Sequence, residues 1–157
     1  MPTWSRETPW RQGHLLTDAT AKALNLVHPD HPNDTLVIVA THDCDLAQSL
    51  ENEPVVEVII GRRIDSIDGN YSNAKTARIL HIGLEGGAAP IAEFVASGKR
   101  SLTKEALANF EPEATTRLTP QGQVTFQRWL AARYRRSAFP DEFDRRLVRE
   151  TKLAERL

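Results

Sequence analysis

The sequence predicts an α+β domain: a small curled β-sheet or partly open barrel followed by a C-terminal helical segment. Three observations carry this expectation. Apolar, β-branched runs crowd into the first two thirds of the chain, helical signals concentrate after Thr119, and the connections between the strand-like runs are short. Strands first and helices last is the α+β pattern, and several short strands at close spacing favour a small barrel or strongly curled sheet. A chain of 157 residues is one ordinary domain, long enough to bury a core without metal or disulfide support.

Taken in order, Trp10 to Leu16 reads as a short opening strand, and Ala19, Ala21 and Ala23 favour a short helix or turn within 18–27. Pro29 and Pro32, among Asn and Asp residues, forbid a regular element over 28–34. Leu36-Val37-Ile38-Val39-Ala40 is the clearest strand; being apolar throughout, it should be covered on both faces. Asp45 to Leu50 suits a turn of helix. Pro54 to Ile60 is a second strand with high β-branched content, extended by Arg62-Arg63-Ile64. A loop over 65–75 leads to a third strand at Arg78 to Ile82, Gly86-Gly87 turns the chain, and Ile91 to Val95 is a fourth strand. Ser97-Gly98 reads as a further turn, and Thr103 opens a short helix to Asn109. Thr119 caps a helix with Pro120 at its first position, running through Trp129 to Tyr134; another begins at Pro140 with Phe143, Leu147 and Leu153.

Charge divides the chain more sharply than its net of −1 suggests. Residues 1–116, the expected β-rich core, hold 10 basic and 16 acidic residues; residues 117–157, an Arg-rich helical extension expected to pack on that core, hold 10 basic and 5 acidic. The basic tail suits phosphate contacts or docking on acidic protein surface, so nucleic acid and a protein partner are both candidates. No apolar run approaches the roughly 18 residues of a membrane span, and Met1 to Arg6 lacks the apolar stretch of a signal peptide. No membrane partner and a cytoplasmic location are therefore expected. Cys44 is the single cysteine, which excludes an intrachain disulfide.

The reactive groups concentrate at Thr41-His42-Asp43-Cys44-Asp45, directly after the apolar strand. Charge delivered by a buried strand must be solvated, paired or ligated. In extended geometry His42 and Cys44 face one side and Asp43 and Asp45 the other. His42, Asp43, Cys44 and Asp45 are the candidate catalytic residues, with Glu57, Lys75, Arg78 and His81 as substrate-binding neighbours. Three chemistries fit these residue types. His42, Cys44 and His81 offer zinc ligands, although no structural zinc spacing is present. Cys44 is a candidate nucleophile beside a histidine. Asp45 and Glu57 are a carboxylate pair of the kind that holds a divalent ion for phosphodiester hydrolysis, with Lys75 or Arg78 stabilising charge. Restriction-type nucleases place a lysine two residues after the glutamate; that position is Ile59 here. A purely structural alternative has the aspartates capping the turn and Cys44 buried as a small hydrophobe. No metal site is assigned, and no cofactor is identified.

Trp10-Arg11-Gln12-Gly13, Thr41-His42-Asp43-Cys44-Asp45-Leu46 and Glu53-Pro54-Val55-Val56-Glu57 together resemble a group of uncharacterised bacterial proteins of mobile elements and defence islands with a (S/T)-(H/Q)-D-C-D-L motif. The resemblance covers roughly residues 10–110 and transfers no catalytic residue. The coarse strand order is also similar to the small barrels of the MazF/PemK toxin ribonucleases, which carry an Arg-Pro pair where this chain has Asp34-Thr35. The resemblances imply a bacterial defence or toxin–antitoxin type protein that binds or processes nucleic acid. The alternatives are a non-enzymatic interaction module whose helical tail docks a partner, and a Cys- or zinc-dependent hydrolase.

Overall fold

The computed structural model describes residues 3–134, and the expected helix from Pro140 lies outside them. In chain order the elements are α1 (Asp18–Ala23), a 3-10 turn (Pro32–Asp34), β1 (Thr35–Val39), α2 (Asp43–Leu46), β2 (Val55–Ile64), β3 (Ile79–Glu85), β4 (Ile91–Thr103), α3 (Lys104–Leu107), β5 (Arg117–Leu118) and α4 (Pro120–Tyr134). The five strands form one antiparallel sheet in the order β1-β2-β4-β3-β5, curled into a half-barrel with α4 beyond it. The α+β class is therefore the observed one.

Alternation along the strands gives the sheet two apolar faces. Val37, Val39, Val56, Val58 and Ile60 pack with Trp4, Trp10, Leu46 and Leu107 on one side. Leu36, Ile38, Ile59, Leu80 and Phe94 pack with Phe126 and Trp129 of α4 on the other. This is why β1 is apolar from Leu36 to Val39: all five of its residues are buried, and Thr35, its one polar member, bonds through its hydroxyl to the His28 amide and the Pro32 carbonyl.

Two expected boundaries are corrected. The segment 10–16 is not a regular strand: it meets β1 only at the bridge Leu15–Ile38 and through scattered backbone bonds such as Gly13 N–H to the Val39 carbonyl. Nor does the chain turn at Ser97-Gly98. Strand β4 continues through it, and the register jumps from Ile59–Lys99 to Gly61–Phe94. Gly98 lies against the Ile60 carbonyl, where a Cβ would clash, so the glycine serves close passage of the bulged strand rather than reversal. The bulge bends β4: residues 91–94 pair with both β2 and β3, while 99–103 pair with β2 alone.

Candidate functional site

The expected extended run at 42–45 is a helical turn. His42 is its N-cap, with Nδ1 accepting from the Cys44 amide at 3.2 Å. The alternation argument for which side chains share a side therefore fails here. The physical reason is that Asp43 and Asp45 suit a helix N-terminus, where the amides are unpaired. With Nδ1 an acceptor, Nε2 carries the ring proton and is available as a donor.

This turn is clamped from several directions. Thr41 Oγ1 accepts from the Glu57 amide at 2.7 Å, joining the turn to β2. Asp43 Oδ1 accepts from the Gln12 amide at 2.8 Å. Trp4 Nε1 donates to the Leu46 carbonyl at 2.8 Å. Lys104 Nζ donates to the carbonyls of Asp45 (2.6 Å) and Gln48 (3.0 Å). Gln12 ties the turn to α4: its Nε2 donates to the Ala40 carbonyl, its own carbonyl accepts from Gln123, and its Oε1 accepts from Gln127 Nε2 at 3.3 Å.

Beside the clamped turn lies an open cleft of about 600 Å³ between the sheet and α4. Ala40, Val55, Ile59, Leu130 and Ala131 supply its apolar lining, and Thr41, His42, Asp45, Glu53, Glu57 and Lys99 supply the polar groups. Glu57 projects into it because it alternates with the buried Val56 and Val58. Lys99 arrives from β4, directly opposite Ile59. Its Nζ stands 2.7 Å from Glu57 Oε1, with both side chains about one-third exposed (34% and 39%). Among the described residues the carboxylates of Asp45 and Glu53 accept no hydrogen bond, and no group of three or more His, Cys, Asp or Glu side chains is arranged around a common metal position.

The predicted site residues thus divide. His42, Asp45 and Glu57 share this cleft, and Asp43 braces its wall. Cys44 is exposed on the turn and does not line the cleft, so it is not the buried hydrophobe of the structural alternative. Lys75, Arg78 and His81 do not join it. Lys75 Nζ donates to the Gly69 carbonyl within its own loop, and Arg78 is exposed at the entry to β3.

His81 belongs to a second open cleft of about 700 Å³ at the other end of β2, with His31, Arg62, Arg63, Asp68 and Glu93. It is buried beside Tyr71; its Nδ1 accepts from the Asp68 amide at 3.0 Å, so its Nε2–H donates to Glu93 Oε2 at 2.9 Å. Glu93 Oε1 accepts from Arg62 Nε at 2.9 Å. Burial pushes the Glu93 carboxyl up, but the bonds from Arg62 and His81 outweigh it and hold it below the usual range.

Sequence reasoning missed Lys99, Lys104 and Gln127. Lys99 is 42 positions from Glu57, and only the strand register brings them together. No family model matches this chain, and no curated protein or solved structure shows significant similarity to it.

Proposed function

We propose that this protein cleaves the phosphodiester backbone of nucleic acid at the cleft formed by His42, Asp45, Glu57 and Lys99, in the manner of a bacterial defence or toxin–antitoxin nuclease. One observation carries the reading: Lys99 is the cross-strand partner of Ile59, on the same sheet face as Glu57, with its ammonium against the Glu57 carboxylate. Residues directly opposite on antiparallel strands stand about 5 Å apart and share a face. The lysine that restriction-type nucleases carry two residues after the glutamate is therefore supplied here from the neighbouring strand.

The lining favours a route assisted by a divalent ion. Asp45, Glu53 and Glu57 outnumber Lys99, so a bare phosphate would meet net repulsion. Magnesium is held by one or two carboxylates, with water and substrate phosphate completing its shell. Asp45 and Glu57 would hold such an ion. Bound there, it would activate a water and neutralise the phosphate. In the step itself a cleft carboxylate would take the proton of the attacking water, the leaving sugar oxygen would take a proton from solvent as its bond to phosphorus breaks, and the Nε2–H of His42 and the ammonium of Lys99 would stabilise the charge developing on the phosphate.

The test is cleavage of single-stranded RNA, single-stranded DNA and duplex DNA in Mg²⁺ and in chelator. Cleavage should require the ion, and Glu57→Gln and Lys99→Met should each lower kcat about 100-fold or more. Chelator-resistant cleavage would remove the ion but keep the carboxylate as base. Full activity in both variants, or no cleavage of any substrate, would remove the nuclease reading and leave the interaction module.

A further inference from the structure

Lys104 has no part in the chemistry proposed above, yet it is the only lysine among the described residues with no solvent exposure (0%). No carboxylate lies within ion-pair distance of it among the described residues. A buried ammonium is costly unless its protons are used. Here they point at backbone: the carbonyls of Asp45 and Gln48, at 2.6 and 3.0 Å. The ammonium also lies 5.4 Å from the centre of the Trp4 ring, whose own Nε1–H bonds the Leu46 carbonyl. Three carbonyls from the end of the α2 turn are thus held by two side chains distant in sequence. Burial draws the Lys104 ammonium below its ordinary pKa, against the opposing fields of Glu53 and Asp45.

The placement is specific. Thr103 caps α3 through the Ala106 amide, and the Lys104 amide bonds the Pro54 carbonyl at the start of β2, which fixes where the lysine leaves the backbone. From there its ammonium reaches the Trp4 ring and the carbonyls at the end of the turn. Asp45 is the residue bonded most closely, and it is also one of the residues that line the cleft.

We infer that Lys104 is a positioning residue that locks the 43–48 turn and so fixes where Asp45 and His42 stand in the cleft. Its functional meaning rests on the proposed reading of that cleft, but its test does not. Amide hydrogen exchange, read residue by residue by NMR on the full chain, should show Asp45, Leu46, Ala47 and Gln48 exchanging at least about tenfold faster in Lys104→Met, beyond any change at Val58 and Ile59 of β2. A Cys44→Ser/Lys104→Cys chain, alkylated with 2-bromoethylamine while unfolded and then refolded, carries a lysine isostere and should regain the protection. If cleavage is present, Lys104→Met should lower kcat and leave KM nearly unchanged. A second measurement needs no variant: the Lys104 ammonium protons should be visible in the ¹⁵N spectrum because exchange with water is slowed. Unchanged or uniformly raised exchange, failure of aminoethylation to restore it, or rapidly exchanging ammonium protons would each overturn the inference. Protection that behaves as expected alongside inert Glu57 and Lys99 variants would leave a locked turn built for something other than phosphodiester chemistry.

Discussion

The two open clefts at opposite ends of β2 contain similar residue types and use them differently. Around Glu93, each polar group satisfies another: both ring nitrogens of His81 and both oxygens of Glu93 are engaged, and Arg62 is spent on Glu93 and His31. Around Glu57, the groups that bind the scaffold are mostly backbone atoms. The Glu57 amide and carbonyl hold Thr41 and Ala40, and the Asp45 carbonyl takes Lys104, while both residues line the cleft and the Glu57 carboxylate meets Lys99 there. A histidine with both nitrogens bonded has no proton to exchange with a substrate. The comparison teaches that residue type alone does not mark a reactive site; what matters is whether the reactive atoms are the ones holding the fold together.

That contrast is broken most directly by exchanging the roles of the two clefts. Lys99→Met, which should lower cleavage about 100-fold, should move stability by less than about 1 kcal/mol, because a partly exposed ion pair contributes little. Glu93→Ala should do the reverse. It strips the buried His81 and Arg62 of their acceptor and should cost about 2–3 kcal/mol in urea unfolding, with cleavage per folded molecule unchanged. A loss of activity in Glu93→Ala beyond its loss of folded protein would show that the second cleft takes part in the reaction.

Acid should distinguish the clefts more gently. The folded pKa of Glu93 lies below its ordinary 4.5, so its unfolded form binds protons first on acidification, and its contribution is lost as pH falls from 4.5 through the folded value. Glu113, lowered by the Thr115 amide and hydroxyl, acts in the same direction. His14 and His28 start earlier. Burial chiefly lowers both below 6.5, with Arg11 adding to it for His14 and His31 for His28, so each loses stability as pH falls from 6.5. Urea midpoints should therefore decline in two stages below neutrality. In Glu93→Ala the stage below 4.5 should shrink while the histidine stage stays. A single-stage decline common to both proteins would assign the acid sensitivity elsewhere.

How much of this was legible in the sequence depends on the range over which each feature is determined. The strand β1 was readable because burial on both faces leaves an unbroken apolar run from Leu36, β2 because its first half is rich in β-branched residues, and α4 because Thr119 and Pro120 announce its start. Gly86-Gly87 read correctly as a turn, and both residues have positive φ. Ser97-Gly98 offered the same local signal and misled, since the lack of a side chain there lets a bulged strand pass the Ile60 carbonyl. At the site, the concentration of charge after β1 was visible, but its geometry was not. Whether His42 to Asp45 extends or coils is decided by clamps from Gln12, Trp4 and Lys104, which lie 31 or more residues away from their partners in the turn. Lys99 was invisible for the same reason: its relevance comes from a pairing register, which no local pattern encodes.

The smallest expected effect falls on the residue that looked most reactive. Cys44 is exposed on the α2 turn, absent from the cleft lining, and its amide rather than its thiol is the group used, as donor to His42 Nδ1. A serine at this position keeps that amide and the size of the side chain. Cys44→Ser should therefore leave urea stability within about 0.5 kcal/mol of the parent and cleavage unchanged, whereas His42→Ala loses both the cap and the hydrogen-bond donor to the phosphate. The pair separates two chemistries that share one short stretch of chain. If Cys44→Ser abolishes activity while Glu57→Gln does not, the reaction belongs to a thiol nucleophile on the turn, and the cleft beside it is scaffold. If the order is reversed, the cysteine is a neighbour of the site and His42, Asp45 and Glu57 are the reason the turn is clamped.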